Sequence, residues 1–340
     1  MGFECLGSGA LEFLRGELLG RAREIDEANL VPSGLLKRGW ELGVFEPGSV
    51  RCLMEYVRAA AYSSRGYAHV ILVHGSSYLA LGGGRGLYAL SITEPGGGTD
   101  VRGNLATTAV RVGDVYVVEG SKLFTSNALY ADTFVVLARA DDVAALFLCP
   151  RSGEIMVDPL NLSGFRGSGV GAVRYLGARC ERVTPPGVDG VREVLRYINV
   201  GRLGYASIAL GIVDRALDLA VQVASGKTIF GRKLIDYQGL RWMIAGLEAR
   251  ARALEALVYK ASSGEKVDPE EAAAAKVLAG ELAREAAWLA IQVMGGRGLE
   301  MWGEAERMQR DARVVDIGEG AREVLLDFLA SRAVKKRSGG

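Results

Sequence analysis

The hydrophobic period changes twice along this 340-residue chain, and that constrains its fold more than any single residue does. From about Asp189 onward the period is helical. Leu240, Ile244, Leu247, Leu254 and Val258 recur at spacings of three, four and seven, which is one apolar face of a long helix. Asp268-Pro269-Glu270-Glu271 opens the next: an acidic cap, proline in the first position, Glu near the start. The paired glycines 295 and 296 should end it. Several long helices in succession predict a bundle. The stretch from residue 89 to about 188 reads differently. Tyr116–Val118, Phe134–Leu137 and Leu146–Leu148 favour strands, and Val112-Gly113-Asp114-Val115 marks a turn between two of them. Short strands separated by Gly- and Pro-containing turns predict an antiparallel β domain rather than a βαβ series.

Residues 1–88 are helical in pattern again. Leu11, Leu14 and Leu18 fall about one turn apart between Gly9 and Glu27, Pro32 opens a second helix, and a third run covers Arg51 to Tyr67. Glycines 82, 83, 84 and 86 then break the pattern. The expected organisation is a helical domain over 1–88, a β domain over 89–188 and a helical domain over 189–335.

Composition removes several classes of function. With 49% hydrophobic and 24% charged residues, the chain is globular rather than disordered. A net charge of +1 without a basic tract argues against a nucleic-acid or membrane partner. Cys5, Cys52, Cys149 and Cys180 are far apart and form no CxxC pair, so neither a disulfide framework nor a zinc site is expected. His69 and His74 alone are a weak metal signal, and no metal is expected. Met1-Gly2 opens like a myristoylation site, but Leu6 stands where Ser or Thr is required. Without a signal-like segment or an eighteen-residue apolar run, a cytoplasmic location is expected. The glycine clusters at 82–86 and 96–98 spell neither a dinucleotide fingerprint nor a phosphate loop.

Six segments carry a family resemblance. Ser91–Val101 reads SITEPGGGTDV, Glu119–Asn127 reads EGSKLFTSN, and Gly164–Ser168 reads GFRGS. Phe230-Gly231 with Leu234 and Gln238 forms an FG…Q segment. Gln292-Val293-Met294-Gly295-Gly296 and Asp316-Ile317-Gly318-Glu319-Gly320-Ala321 follow. In this order the set resembles the FAD-dependent acyl-CoA dehydrogenase family, with a shortened N-terminal domain. The resemblance spans roughly residues 30 to 330. It implies an N-terminal helical domain, a middle β-barrel-like domain and a C-terminal four-helix bundle. It also implies a role in fatty acid metabolism: α,β-dehydrogenation of an acyl-CoA thioester to the trans-2-enoyl-CoA, with electrons passed to an electron-transferring flavoprotein.

The resemblance assigns residues. Glu319 falls at the catalytic base, with Gly318 and Gly320 letting backbone approach the thioester. A second base position known in the family lies just before Arg202 and is here Gly201, which cannot act. Arg202, Asn199, Gly320 and Thr99 fall near the acyl-CoA. Leu90, Ile92 and Thr93 align with the stretch along the isoalloxazine ring, Phe124 and Ser126 pack against it, and Thr99 lies near phosphates. Lys227, Phe230, Gln238, Gln292, Gly295 and Gly296 correspond to the pyrophosphate and ADP side of FAD, held in the family across a homodimer or homotetramer. Read from the residues alone, Glu319 is more readily a solvated glutamate at a helix start, and Phe124 more readily simple core.

Three departures stand out. The helical section before the TEPG segment is short, Lys227 replaces an arginine, and Ala321 replaces a threonine. They keep two alternatives open: a flavoenzyme of the same fold with another substrate or acceptor, and a non-catalytic flavin-binding scaffold or accessory subunit.

Overall fold

The computed structural model describes residues 3–185, 188–264 and 266–338; Met1 and Gly2, on which the myristoylation reading turns, lie outside them. The N-terminal helices are α1 (Ser8–Glu12), running through a π-helical turn at Phe13–Glu17 into α2 (Leu18–Ala28), then α3 (Ser33–Glu41), α4 (Val50–Ser63) and α5 (Arg65–Leu81). The single helix expected over Arg51–Tyr67 is instead two. Ser64 is extended, and its hydroxyl caps the new helix at Tyr67 N. The break lets the Arg65 guanidinium turn inward onto Asp311, 2.7 Å away and buried. Helical period alone did not register this, because the apolar spacing continues across the corner.

The middle region holds β1 (Tyr88–Ser91), β2 (Thr108–Val112), β3 (Val115–Thr125), β4 (Thr133–Ala140), β5 (Val143–Pro150), β6 (Ile155–Pro159) and β7 (Gly171–Arg182). The neighbours run β4-β2-β3-β7-β5, and β5 returns to β4, so five strands close a barrel-like ring. The β2–β3 turn lies at the predicted Gly113-Asp114, pairing Val112 with Val115. β4 and β5 join through Asp141-Asp142, both in the left-handed region as a tight hairpin of this twist requires. Two pairings depart from the antiparallel scheme: β1, arriving from α5 rather than from a hairpin, lies parallel to β4, and β2 meets β4 in parallel at Thr108 and Arg139. Buried alternate residues such as Phe134, Val136, Phe147, Val173 and Tyr175 fill the interior.

The C-terminal helices are α6 (Gly190–Gly226), α7 (Gln238–Ser262), α8 (Pro269–Met294), α9 (Glu304–Ile317) and α10 (Arg322–Arg337), with a small hairpin of β8 (Thr228–Ile229) and β9 (Arg232–Lys233) after α6. Asp268 caps α8 as expected, accepting from Glu270 N and Glu271 N. Alanine is the commonest residue on the buried face of α8, from Ala272 to Ala290, so α6 can pack closely against it. No helix among the described residues is long and apolar enough to cross a membrane.

A second expectation is overturned. The cysteines do pair: Cys5 with Cys52 and Cys149 with Cys180. Spacing could not reveal it, since one pair ties the N-terminal segment to α4 and the other faces across β5 and β7 in register. The two histidines go to separate partners. His74 bonds Phe45 O at 2.8 Å and takes Tyr88 N, within an aromatic cluster of Trp40, Tyr78 and Tyr88. This cluster joins α3, α5 and β1, where the chain passes from α5 through the glycines into β1.

Candidate active site

The TEPG and EGSKLFTSN segments lock together through a buried ion pair. Lys122 Nζ lies 2.8 Å from Glu94 Oε1 and 3.0 Å from Ile92 O. Glu94 also accepts from Ala106 N and Thr107 N. Burial pushes the Glu94 carboxyl up, but these donors bring it below the usual range; burial lowers Lys122 to about 8. The motif glutamate is therefore structural. It fixes the strand end so that Leu123 N meets Thr93 O at 2.8 Å and Leu90 bridges Ser126. Thr93, Phe124 and Ser126 are thus held on one patch, with Phe124 at φ +54° and 54% exposed. An aromatic ring turned outward beside two hydroxyls is not core. Ile92 is half-buried beside them, and Thr99 is exposed on the following turn.

A second group lies in the C-terminal region. Lys227, following α6, donates to Val293 O at 3.3 Å and sits against Gly295, while Gln292 and Gly296 are exposed at the end of α8. Phe230, at the tip of the β8–β9 hairpin, is 97% exposed, and Gln238 starts α7 exposed to solvent. A large apolar ring held out by a rigid hairpin fits a surface that another component covers. Hydroxyls, an outward aromatic ring and a lysine beside a glycine-rich helix end are groups suited to a flavin and its pyrophosphate.

The third group surrounds Glu319. Helix α9 ends at Ile317, and the chain turns through Glu319 at φ +56° and Gly320 at φ +105° before α10. A non-glycine residue there is strained, and its neighbours hold it. Arg202 Nε donates to Glu319 O at 3.2 Å, Arg202 Nη1 to Asn199 Oδ1 at 2.9 Å, and Lys276 Nζ to Gly320 O at 2.8 Å. The Glu319 side chain lies against Gly201 of α6, where a β-carbon would fall 2.6 Å from its Cδ. The two base positions known from the resemblance thus face the same space. Glu319 is half-buried by surface area, and the protein packed around its carboxyl pushes it up to about 7, against the pull of Arg202 and Lys276. Burial lowers Lys276 to about 8, opposed by Glu319 and Asp316. Tyr205, one turn after Gly201, places its hydroxyl against Gly318 and 3.3 Å from His69 Nε2.

Sequence reasoning did not single out Lys276, Tyr205 or the Glu94–Lys122 pair. A signal existed for Lys276: it is the one charge inside the run Ala272–Gly280, on the stripe shared with Ala272, Ala279 and Ala283.

A carboxyl poised near neutrality is suited to taking a proton from a weak carbon acid. The family comparisons give the class, an oxidoreductase acting on a CH–CH bond. Residues 89–175 match the family described as acyl-CoA dehydrogenase, middle domain, and residues 188–334 match acyl-CoA dehydrogenase, C-terminal domain. The short-chain specific acyl-CoA dehydrogenase of Clostridium acetobutylicum is 31% identical, covering 92% of this chain and 93% of that protein. The caffeyl-CoA reductase-Etf complex subunit CarC of Acetobacterium woodii is 32% identical over 74% of this chain and 70% of its own length. Butyryl-CoA dehydrogenase from Megasphaera elsdenii shares the fold, with a TM-score of 0.86 at 24% identity over 98% of this chain and all of that one. The chain belongs to the acyl-CoA dehydrogenase family, and this relationship implies FAD as its cofactor.

Proposed function

We propose that this enzyme dehydrogenates an acyl-CoA thioester between its α and β carbons to the trans-2-enoyl-CoA, with Glu319 as the base. The half-buried Glu319 carboxyl, held by its turn against Gly201 and flanked by Arg202 and Lys276, carries the reading. A thioester α proton is a very weak acid, so the base has to be basic, dry and fixed. Burial supplies the basicity, and the two cations keep enough carboxylate present near neutral pH. FAD, when bound, supplies the acceptor for the β hydride. Arg202 and Asn199, with the Gly320 backbone, line the acyl-CoA side, and Thr99 serves phosphates. Leu90, Ile92, Thr93, Phe124 and Ser126 support the flavin ring. Lys227, Phe230, Gln238, Gln292, Gly295 and Gly296 meet its pyrophosphate and ADP portion across a homodimer or homotetramer contact. The outward Phe230 supports that arrangement. The acceptor is an electron-transferring flavoprotein; that one similar protein is named as a subunit of a reductase-Etf complex supports it. The same relative favours a second reading, in which the site runs as a reductase and the protonated Glu319 carboxyl delivers the α proton.

Acyl-CoA substrates of graded length, mixed anaerobically with the yellow protein, are expected to bleach the flavin absorbance. A yellow protein indifferent to every acyl-CoA would refute the dehydrogenase reading; oxidation of the reduced flavin by enoyl-CoA alone would favour the reductase.

Lys227→Ala is expected to weaken FAD retention roughly tenfold or more, the worth of a charge-assisted hydrogen bond, and Lys227→Arg to retain it. Equilibrium dialysis of the flavin measures both. An alanine variant holding FAD as tightly as the parent removes Lys227 from the site.

A further inference from the structure

Helix α8 presents Lys276, Gly280 and Arg284, each four residues apart and therefore on one face. All three meet the segment that leads into and through the Glu319 turn. Arg284 pairs with Asp316, and Gly280 lets Asp316 come so close that a β-carbon there would lie 2.2 Å from its Oδ1. Lys276, only 2% exposed, spends its ammonium on the Gly320 carbonyl at 2.8 Å. A buried lysine without an adjacent carboxylate hydrogen bond is costly, and besides the Gly320 carbonyl its ammonium meets only the Tyr205 ring, 5.7 Å away, among the contacts of the described residues.

We propose that Lys276 is the positioning residue for the base: its ammonium pins the Gly320 carbonyl, which holds the strained Glu319 turn in place, and its charge favours the carboxylate over the carboxylic acid. The proposal rests on Glu319 being the base. The other charged and titratable groups around this spot are Arg202 and Tyr205 from α6, Asp316 from α9 with its partners Arg284 and Arg313, and Glu323 from α10. Arg202 is the second cation near Glu319, but it holds the Glu319 carbonyl from the opposite helix. Lys276 alone among these groups holds the carbonyl that follows the base. Its charge and that of Arg202 both draw the Glu319 carboxyl down, and burial draws it up. Removing the Lys276 charge therefore leaves burial less opposed. The carboxyl holds its proton to higher pH, and the reaction, which needs the carboxylate, starts later as pH rises.

The test uses the FAD-loaded enzyme in anaerobic single-turnover flavin reduction from pH 6 to 10. Lys276→Met keeps the length and apolar stem but removes donor and charge; Lys276→Arg keeps both; Lys276→Gln keeps a donor without charge and replaces the methionine variant if that one does not fold. In the neutral variants the rising limb of the rate against pH is expected to move up by about one unit. The rate at neutral pH falls roughly tenfold and recovers at high pH. Binding of a non-reacting CoA thioester stays near that of the parent, and Lys276→Arg restores the parent profile. A uniform loss at all pH values, or a neutral variant with the parent profile, overturns the proposal. Glu319→Gln run alongside separates the two ideas. If it alone abolishes reduction while Lys276→Met matches the parent, the base stands and the positioning role falls. If Glu319→Gln is reduced at the parent rate, the base assignment fails first.

Discussion

Replacing Glu319 by glutamine is expected to leave fold and FAD content intact and to lower the rate of flavin reduction by acyl-CoA about 10² to 10⁴-fold. The amide keeps the size of the side chain but cannot accept the α proton. Among the described residues no neighbour is placed to substitute: Gly201 occupies the facing position, and Glu323 lies in the first turn of the next helix, α10. The pH dependence sharpens the test. Only the carboxylate is a base, so the parent rate should rise with pH through about 7, where burial places this group, while the glutamine variant stays low and flat. Stability should respond in the opposite sense. A carboxyl whose folded-state pKa is raised contributes stability that is complete below the ordinary carboxylate range and is lost as pH rises through about 7. Glutamine removes that loss, so the variant should melt higher than the parent above pH 7 and not at pH 4. Anaerobic stopped-flow and thermal melts at the two pH values check both parts. Equal reduction rates in parent and variant would move the base elsewhere.

The second large effect is expected from a single methyl group. In Gly201→Ala the new β-carbon would fall 2.6 Å from Glu319 Cδ and 2.9 Å from Oε1. The carboxyl is the free end of a flexible side chain, so it moves rather than the helix. Alanine also suits the interior of α6 better than glycine, by about 1 kcal/mol. Global stability should hold or rise while the base is displaced. A shift on the order of 1 Å at a reacting group can cost about 10²-fold, and we expect a loss of that size in flavin reduction. Affinity for a non-reacting CoA thioester should change little. A Gly201→Ala enzyme reducing its flavin at the parent rate would show that the carboxyl reacts from somewhere other than its place against α6.

Several candidate site residues carry a signal that is local or motif-bound. Glu319, Arg202 and Asn199 are assigned by resemblance, and the structure brings them together at one turn. Thr93, Phe124 and Ser126 likewise share one patch. The resemblance did not show why the TEPG glutamate matters; its role depends on Lys122, which lies 28 residues further along the chain. Lys276 was missed because helical spacing reads it as one charge in an alanine run, and only the return of the chain after α9 gives it a partner. Lys227, Gln292 and Gly295, which the resemblance assigns to the flavin, come together at the end of α8, whereas Phe230 stands 97% exposed.

The sequence by itself determined the order of helical, β and helical regions, the turn at Gly113-Asp114 and the start of α8 at Asp268. Hydrophobic period, turn chemistry and capping each act over a few residues, so they are written where they act. Only the tertiary structure decided that Ser64 divides the third helical run, that the four cysteines pair, and that β1 joins the sheet parallel to β4. It also decided the basicity of Glu319. That property is a balance of lost water against two cations, Arg202 from α6 and Lys276 from α8, brought to one turn from distant parts of the chain. Desolvation and charge coupling depend on distance in space, which no local pattern encodes.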